Sequence, residues 1–197
     1  GKLGSELLLN AVTAGAQLNS KISVLNNGNV AVTWQGPDAS GTGIKFRLFD
    51  ANGTPVLAEQ GVNQQTLDAQ TNPNIAALED GGFLIAWQSA DGQSDPSSTG
   101  IKAQRYNAAG QAQGGEFLLN YSLQSTQSDV ALADLSNGGV VAVWASFDGA
   151  DGDGSGIKAR SFDAQVVATS VEFLGNATTQ FNQSEPDVVA LDGGGFL

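Results

Sequence analysis

Apolar and polar positions along the chain alternate in short runs, and between Ser128 and Ala164 the pattern is clearest. Two apolar runs there, Val130 to Leu135 and Val140 to Trp144, flank Asn137-Gly138-Gly139. That turn signal favours positive φ and hence a tight hairpin. A Gly/Asp loop follows, and a third run from Gly156 to Asp163 closes the stretch. The unit therefore reads as a small antiparallel meander whose fourth strand is to be sought downstream.

The same parts recur in order with a period of roughly 55 residues. Strands reaching a tryptophan arrive at Trp34, Trp87 and Trp144, and a fourth begins as Gly-Gly-Phe-Leu and reaches Leu197. A shorter apolar run precedes each, ending at Leu25, Leu78, Leu135 and Leu191. After each Trp, a polar loop of variable length leads to a Gly-Ile-Lys strand starting at Gly43, Gly100 and Gly156. Insertions thus fall in the loops. The fourth element starts at Glu6, Glu116 and Glu172, with a degenerate copy between Val56 and Asn63. The units span residues 1–15 (the last strand of a preceding unit), 16–65, 66–122, 123–177 and 178–197 (truncated).

Four short antiparallel strands per unit, with one Trp each, predict an all-β fold: a β-propeller-like array of four-stranded blades, about three and a half repeats of which are visible. Tandem sandwiches would need about seven strands per unit, and solenoid coils are usually much shorter. The chain starts on a fourth strand and stops inside a second one, as a single repeat-built domain or a fragment of a longer one would. An out-of-phase start is also how propellers close, but here the last unit would lack its third strand.

Composition sharpens this picture. At 41% hydrophobic and 14% charged residues, the chain can bury a sizeable core without resembling a membrane protein. No apolar run approaches the roughly 18 residues of a bilayer span, and the first ten residues lack a secretory signal pattern. Any export signal is expected outside this chain. Eight Lys and Arg against 20 Asp and Glu give a net charge of −12, which disfavours nucleic acid and anionic membranes and favours cations. The absence of Cys and His removes disulfides, thiolate metal sites and the commonest general base.

Four sets of residues are candidates for chemistry. Trp34, Trp87 and Trp144 could stack on sugars, but their common phase favours filling the space between blades. Lys45, Lys102, Lys158, Arg47, Arg105 and Arg160 all lie on third strands. They could gather around an anion, but repeat-equivalent positions on different blades favour local pairing with carboxylates. The loop after Trp144 places Asp148, Asp151 and Asp153 between glycines. Three carboxylates so close repel unless a cation joins them, and Ca²⁺ prefers six to eight oxygens in such a flexible ring. A solvated turn is the alternative, because Asp and Gly are also default turn residues. The equivalent loops are weaker, with Asp91, Asp95 and Pro96 in the second and only Asp38 in the first. Sequons begin at Asn52, Asn120, Asn176 and Asn182, as an Asn- and Ser/Thr-rich chain produces by chance. No phosphate loop, nucleophile elbow or zinc signature is present.

The segments GGFLIAWQS, TGIKAQRYNAAG and PDVVALDGGGFL resemble repeats of very large bacterial secreted proteins of the calcium-binding, hemolysin-type (RTX-like) and adhesin kind. The resemblance covers nearly the whole chain, although the nonapeptide GGxGxDxUx is not reproduced in tandem. It implies export, an extracellular or cell-surface location, and a scaffold or binding role with Ca²⁺ nearby. The expectation is a noncatalytic adhesion or assembly module, with other subunits, surface glycans or further copies of itself as partners, and no membrane insertion. A glycan-binding propeller is the alternative, as is a glycosidase or lyase whose acidic residues line the propeller axis.

Overall fold

A computed structural model of the chain describes residues 6–90, 92 and 99–197. Among these, twelve strands form three four-stranded antiparallel sheets, each following chain order. The first contains β1 (Leu18–Val24), β2 (Val30–Pro37), β3 (Thr42–Phe49) and β4 (Gln60–Gly61). The second contains β5 (Gln70–Ala77), β6 (Phe83–Ser89), β7 (Gly100–Tyr106) and β8 (Ala112–Leu118). The third contains β9 (Gln127–Asp134), β10 (Val140–Ser146), β11 (Gly156–Phe162) and β12 (Phe173–Leu174). β5 packs against both β1 and β9, so the first strand of each sheet is innermost and the sheets are blades around one axis. A fourth blade begins with an antiparallel bridge between Ala190 and Phe196.

The predicted hairpins form at all four positions. The N–H of Leu25, Leu78, Leu135 and Leu191 donates to the carbonyl four residues on, and the N–H of Gly28, Gly81, Gly138 and Gly194 donates back to that leucine. Those glycines have φ of 81 to 85°, a region a side chain would strain. The Trp strands run further than the sequence pattern implies. β2, β6 and β10 continue past the tryptophan to Pro37, Ser89 and Ser146, because the glycine opening each third strand still pairs with them. Polar residues after the Trp belong to the sheet.

Alternate residues of each strand face the preceding and the following blade. Leu25, Ile44 and Phe46 of the first blade pack with Ile75, Phe83 and Trp87 of the second. Leu78, Leu84 and Ile101 of the second pack with Leu132, Val140 and Trp144 of the third. Trp34 packs instead with Leu9 and Val32. All three indoles are buried, Trp87 and Trp144 between blades and Trp34 beneath the Leu9 segment, so none is an open sugar platform. Burying roughly 150–250 Å² each, at roughly 25 cal/mol per Å², contributes about 4–6 kcal/mol of gross stabilisation apiece. Phe46, Phe83 and Tyr106 form an aromatic trio across the first interface, with centroids 4.7–5.4 Å apart. Burial there, aided by Glu116, pushes the Tyr106 phenol far above its ordinary range.

Candidate functional site at the propeller axis

The innermost strands each begin with a register break: between Leu18 and Lys21, between Thr71 and Asn74, and in β9 opposite Val143 and Ala145. A bulge leaves one residue out of the ladder and re-aims its side chain. That residue has left-handed backbone in each blade, Asn19 (φ 53°), Asn72 (φ 51°) and Asp129 (φ 55°), as does the repeat-equivalent Glu185 (φ 53°) of the fourth unit, which lies outside any strand. Asn and Asp tolerate this region, whereas a glutamate there carries strain. All four residues line one axial cavity of about 580 Å³, together with Lys21 and Asp187. Its ionisable lining is three carboxylates and one ammonium.

Side-chain amides on the rim donate in one direction around it. Asn19 Nδ2 donates to Asn72 Oδ1 at 2.7 Å, and Asn72 Nδ2 to Asp129 Oδ1 at 3.4 Å. Gln35 Oε1 holds the first step by accepting from Asn19 Nδ2 at 2.9 Å and from the Asn72 N–H at 3.1 Å. The Ser128 hydroxyl donates to the other oxygen of Asp129 at 2.9 Å. Asp129 is thereby fixed as an acceptor at both oxygens, while Glu185 is exposed on the neighbouring unit. Sequence reasoning did not single these residues out. Their signal is a polar residue at one phase of the repeat, just before each first apolar run, but its identity changes from Asn to Asp to Glu.

The structure sends the three loop aspartates in different directions. Asp148 points inward, paired with Lys158 and accepting from the Ser122 hydroxyl at 3.0 Å and the Ala150 N–H at 3.1 Å. Burial raises its pKa, but the Lys158 ammonium and these donors outweigh that and hold the carboxyl below its ordinary range. Asp151 accepts from the Asp153 N–H at 3.2 Å and faces the Asn176 amide at 3.5 Å. Asp153 accepts from the Phe181 N–H at 3.0 Å. Among the described residues, no group of three or more His, Cys, Asp or Glu side chains stands together as a metal-holding set. Asp38 of the first copy accepts from the Ser40 N–H at 3.0 Å, while Asp91, Asp95 and Pro96 of the second lie outside the described residues.

The third-strand cations do not converge. Lys102 pairs with Glu116 at 2.9 Å, Lys158 also reaches Glu172 at 3.4 Å, and Arg105 pairs with Asp80 at 2.5 Å. Arg47 donates to the Leu9 carbonyl at 2.8 Å and Arg160 to the Leu119 carbonyl at 3.0 Å. The carboxylates opposite them act as latches between blades. Glu59 accepts from the N–H groups of Ala11 and Val12, Glu116 from Gln64 and Gln65, and Glu172 from Tyr121 and Ser122. Two sequon asparagines are also structural: Asn120 accepts from the Ile101 N–H at 2.7 Å and Asn176 from the Ile157 N–H at 2.8 Å.

No family model and no curated protein sequence matches the chain. Solved structures do. An α-L-arabinanase from Penicillium chrysogenum, complexed with arabinobiose, superposes with a TM-score of 0.64 at 12% identity, over 92% of this chain and 57% of its own. An endo-arabinase from Bacteroides thetaiotaomicron gives 0.58 at 15% identity, over 88% and 67%. A polysaccharide lyase gives 0.56 at 10%, over 89% of this chain and 43% of its own. The chain therefore spans from under half to about two thirds of the length of these proteins. At such identities the likeness is one of fold, and the fold is a β-propeller. The resemblance to calcium-binding and adhesin repeats is corrected by this comparison, since the structures found are glycan-acting enzymes. The expectations of a noncatalytic scaffold and of no enzymatic activity rested on that resemblance and on the missing His and Cys. They fall with it, because carboxylates alone can supply acid and base.

Proposed function

We propose that this propeller acts on glycans as a glycoside hydrolase, with the axial cavity as its reaction site and Asp129 and Glu185 as its carboxyl pair. One observation carries the reading: four repeat-equivalent residues with left-handed backbone line a common cavity, and the series ends in two carboxylates on adjacent units. Residues held in sparsely populated backbone regions cluster at functional sites. Glycoside hydrolysis needs one carboxyl group to protonate the leaving oxygen and another to act as base or nucleophile. Asp129, fixed as an acceptor, takes the second role, and the exposed Glu185 takes the first. Asn19, Asn72 and Lys21 supply amide and ammonium groups for sugar hydroxyls. Three carboxylates against one ammonium repel a polyuronate, which favours hydrolysis of a neutral glycan over elimination from an acidic one. An extracellular location goes with polymeric substrates of this kind.

The test is reducing-sugar release from a panel of neutral polysaccharides, arabinans first. Asp129→Asn and Glu185→Gln should each lower kcat by roughly 10²–10⁴ while leaving thermal unfolding nearly unchanged. Turnover that survives both substitutions, or no product from any glycan in the panel, would overturn the proposal.

A further inference from the structure

Two departures from the repeat fall together on the third strand of the second blade. Arg47 and Phe49 of the first blade correspond to Arg160 and Phe162 of the third, but to Gln104 and Tyr106 of the second. In the first and third blades the guanidinium lies over the phenylalanine, 5.2 and 5.5 Å from the ring centroid. From there it reaches back to the Leu9 and Leu119 carbonyls of the segment entering the blade. Gln104 instead turns its amide to its own blade, donating to the Arg105 and Gly114 carbonyls at 2.9 and 3.3 Å.

A groove of about 440 Å³ runs there between the first and second blades, with Leu57, Gln60, Gln64, Gln104, Tyr106 and Gln111 in its lining. Both walls belong to blades whose four strands are all present. No lining side chain is charged, whereas the corresponding recess between the second and third blades is lined by Lys158, Arg160 and Glu172. The Tyr106 ring is 4% exposed and stacks on Phe83, and its hydroxyl makes no hydrogen bond among the described residues. The polar atoms sealed in without a partner are Arg47 Nε, Trp87 Nε1, Ser89 Oγ, Arg105 Nε and Ser146 Oγ. The Tyr106 hydroxyl is not one of them, so it opens into the groove. Holding a hydroxyl at a buried position without a partner costs stability that Phe49 and Phe162 avoid. The burial that raises the phenol far above its ordinary range also keeps it protonated, as a hydrogen-bond donor.

We propose that this groove is a second, lateral binding site for a neutral oligosaccharide, whose hydroxyls meet the Tyr106 hydroxyl and the amides of Gln60, Gln64 and Gln111. Its volume falls in the range of small-ligand sites, roughly 300–1,000 Å³. The lining holds no cation for an anionic ligand and no carboxylate for a cationic one, so a neutral polar ligand is what its chemistry fits. The choice of a glycan rests on the reading of the axial cavity as a glycan site, while the groove itself does not.

Titrating the isotope-labelled protein with neutral oligosaccharides from arabinan, xylan and glucan should shift the NMR amide signals of Gln64, Gln104 and Gln111, separately from any shifts at Asn19, Asn72 and Asp129. Tyr106→Phe should lower the affinity read in the groove roughly 3- to 10-fold while unfolding no earlier, which a merely structural hydroxyl would not do. Gln104→Arg restores the residue of the other two blades and should also weaken groove binding, leaving the axial shifts in place. Shifts confined to the axial cavity, groove shifts indifferent to both substitutions, or no shift with any of the three glycans would overturn the proposal. Groove shifts from a glycan that is never hydrolysed would uphold the lateral site and count against the axial hydrolase alone.

Discussion

Val166 occupies a position where the other blades use glycine. Its N–H closes the turn after β11 by donating to the Asp163 carbonyl at 2.8 Å, as Gly53 and Gly110 donate to Asp50 and Asn107. Its φ is 64°, unfavourable for a β-branched residue, yet its side chain is buried among Phe162 and the interface core. Left-handed backbone costs about 1–2 kcal/mol for such a residue, and burying the valine contributes about 1.5–3 kcal/mol. Val166→Gly relieves the first while losing the second, whereas Val166→Ala loses packing and keeps most of the strain. Chemical denaturation should therefore find the Gly variant at least as stable as the Ala variant, the reverse of the order expected at an ordinary buried position. Asp148 gives a pH-dependent case. Its folded pKa lies below the ordinary value of 3.8, so the pairing adds stability above that value and loses it as pH falls through the lower folded value. Asp148→Asn should lower unfolding stability by about 2 kcal/mol at neutral pH, softened because Glu172 remains beside Lys158. The gap to the unsubstituted protein should begin to narrow below about pH 4 and close once the pH is under the lower folded value.

At the scale of strands and links, the glutamate of each outer strand fastens the chain segment that enters its own blade. Glu116 accepts from the Gln64 N–H at 2.6 Å and from Gln65 at 3.4 Å while pairing with Lys102. Glu116→Gln removes the charge that strengthens all three contacts and should cost about 2 kcal/mol. Hydrogen exchange at the Gln64 and Gln65 amides should accelerate before the strands themselves exchange, and unchanged protection there would contradict the latch. The glutamate was legible in the sequence as the opening of a repeated outer strand, because its neighbours in Glu-x-Leu-Leu-Asn recur nearly unchanged. The hairpins and Trp strands were legible for the same reason, since turn chemistry and packing demand nearly the same residue in every blade. The axial residues were not. A bulge takes Asn19, Asn72 and Asp129 out of the ladder, and Glu185 lies outside any strand, so packing no longer dictates identity there and only polarity and phase persist. The Asp148 loop was legible only in part. Its local density of carboxylates was plain, but that Lys158, on the strand just across the loop, takes one of the three inward was not.

For the molecule as a whole, a net charge of −12 sets up a field that a charged ligand feels at a distance. The Debye length falls from about 30 Å at 0.01 M salt to about 8 Å at 0.15 M, which screens that field. A neutral glycan feels no long-range field, so its KM should stay flat between the two salt concentrations, whereas a polyanionic substrate repelled by Asp129, Glu185 and Asp187 would bind better as salt rises. Measuring KM for a neutral and for a polyanionic glycan on one salt series thus separates the two substrate classes: a flat profile for the first, and tighter apparent binding with rising salt for the second.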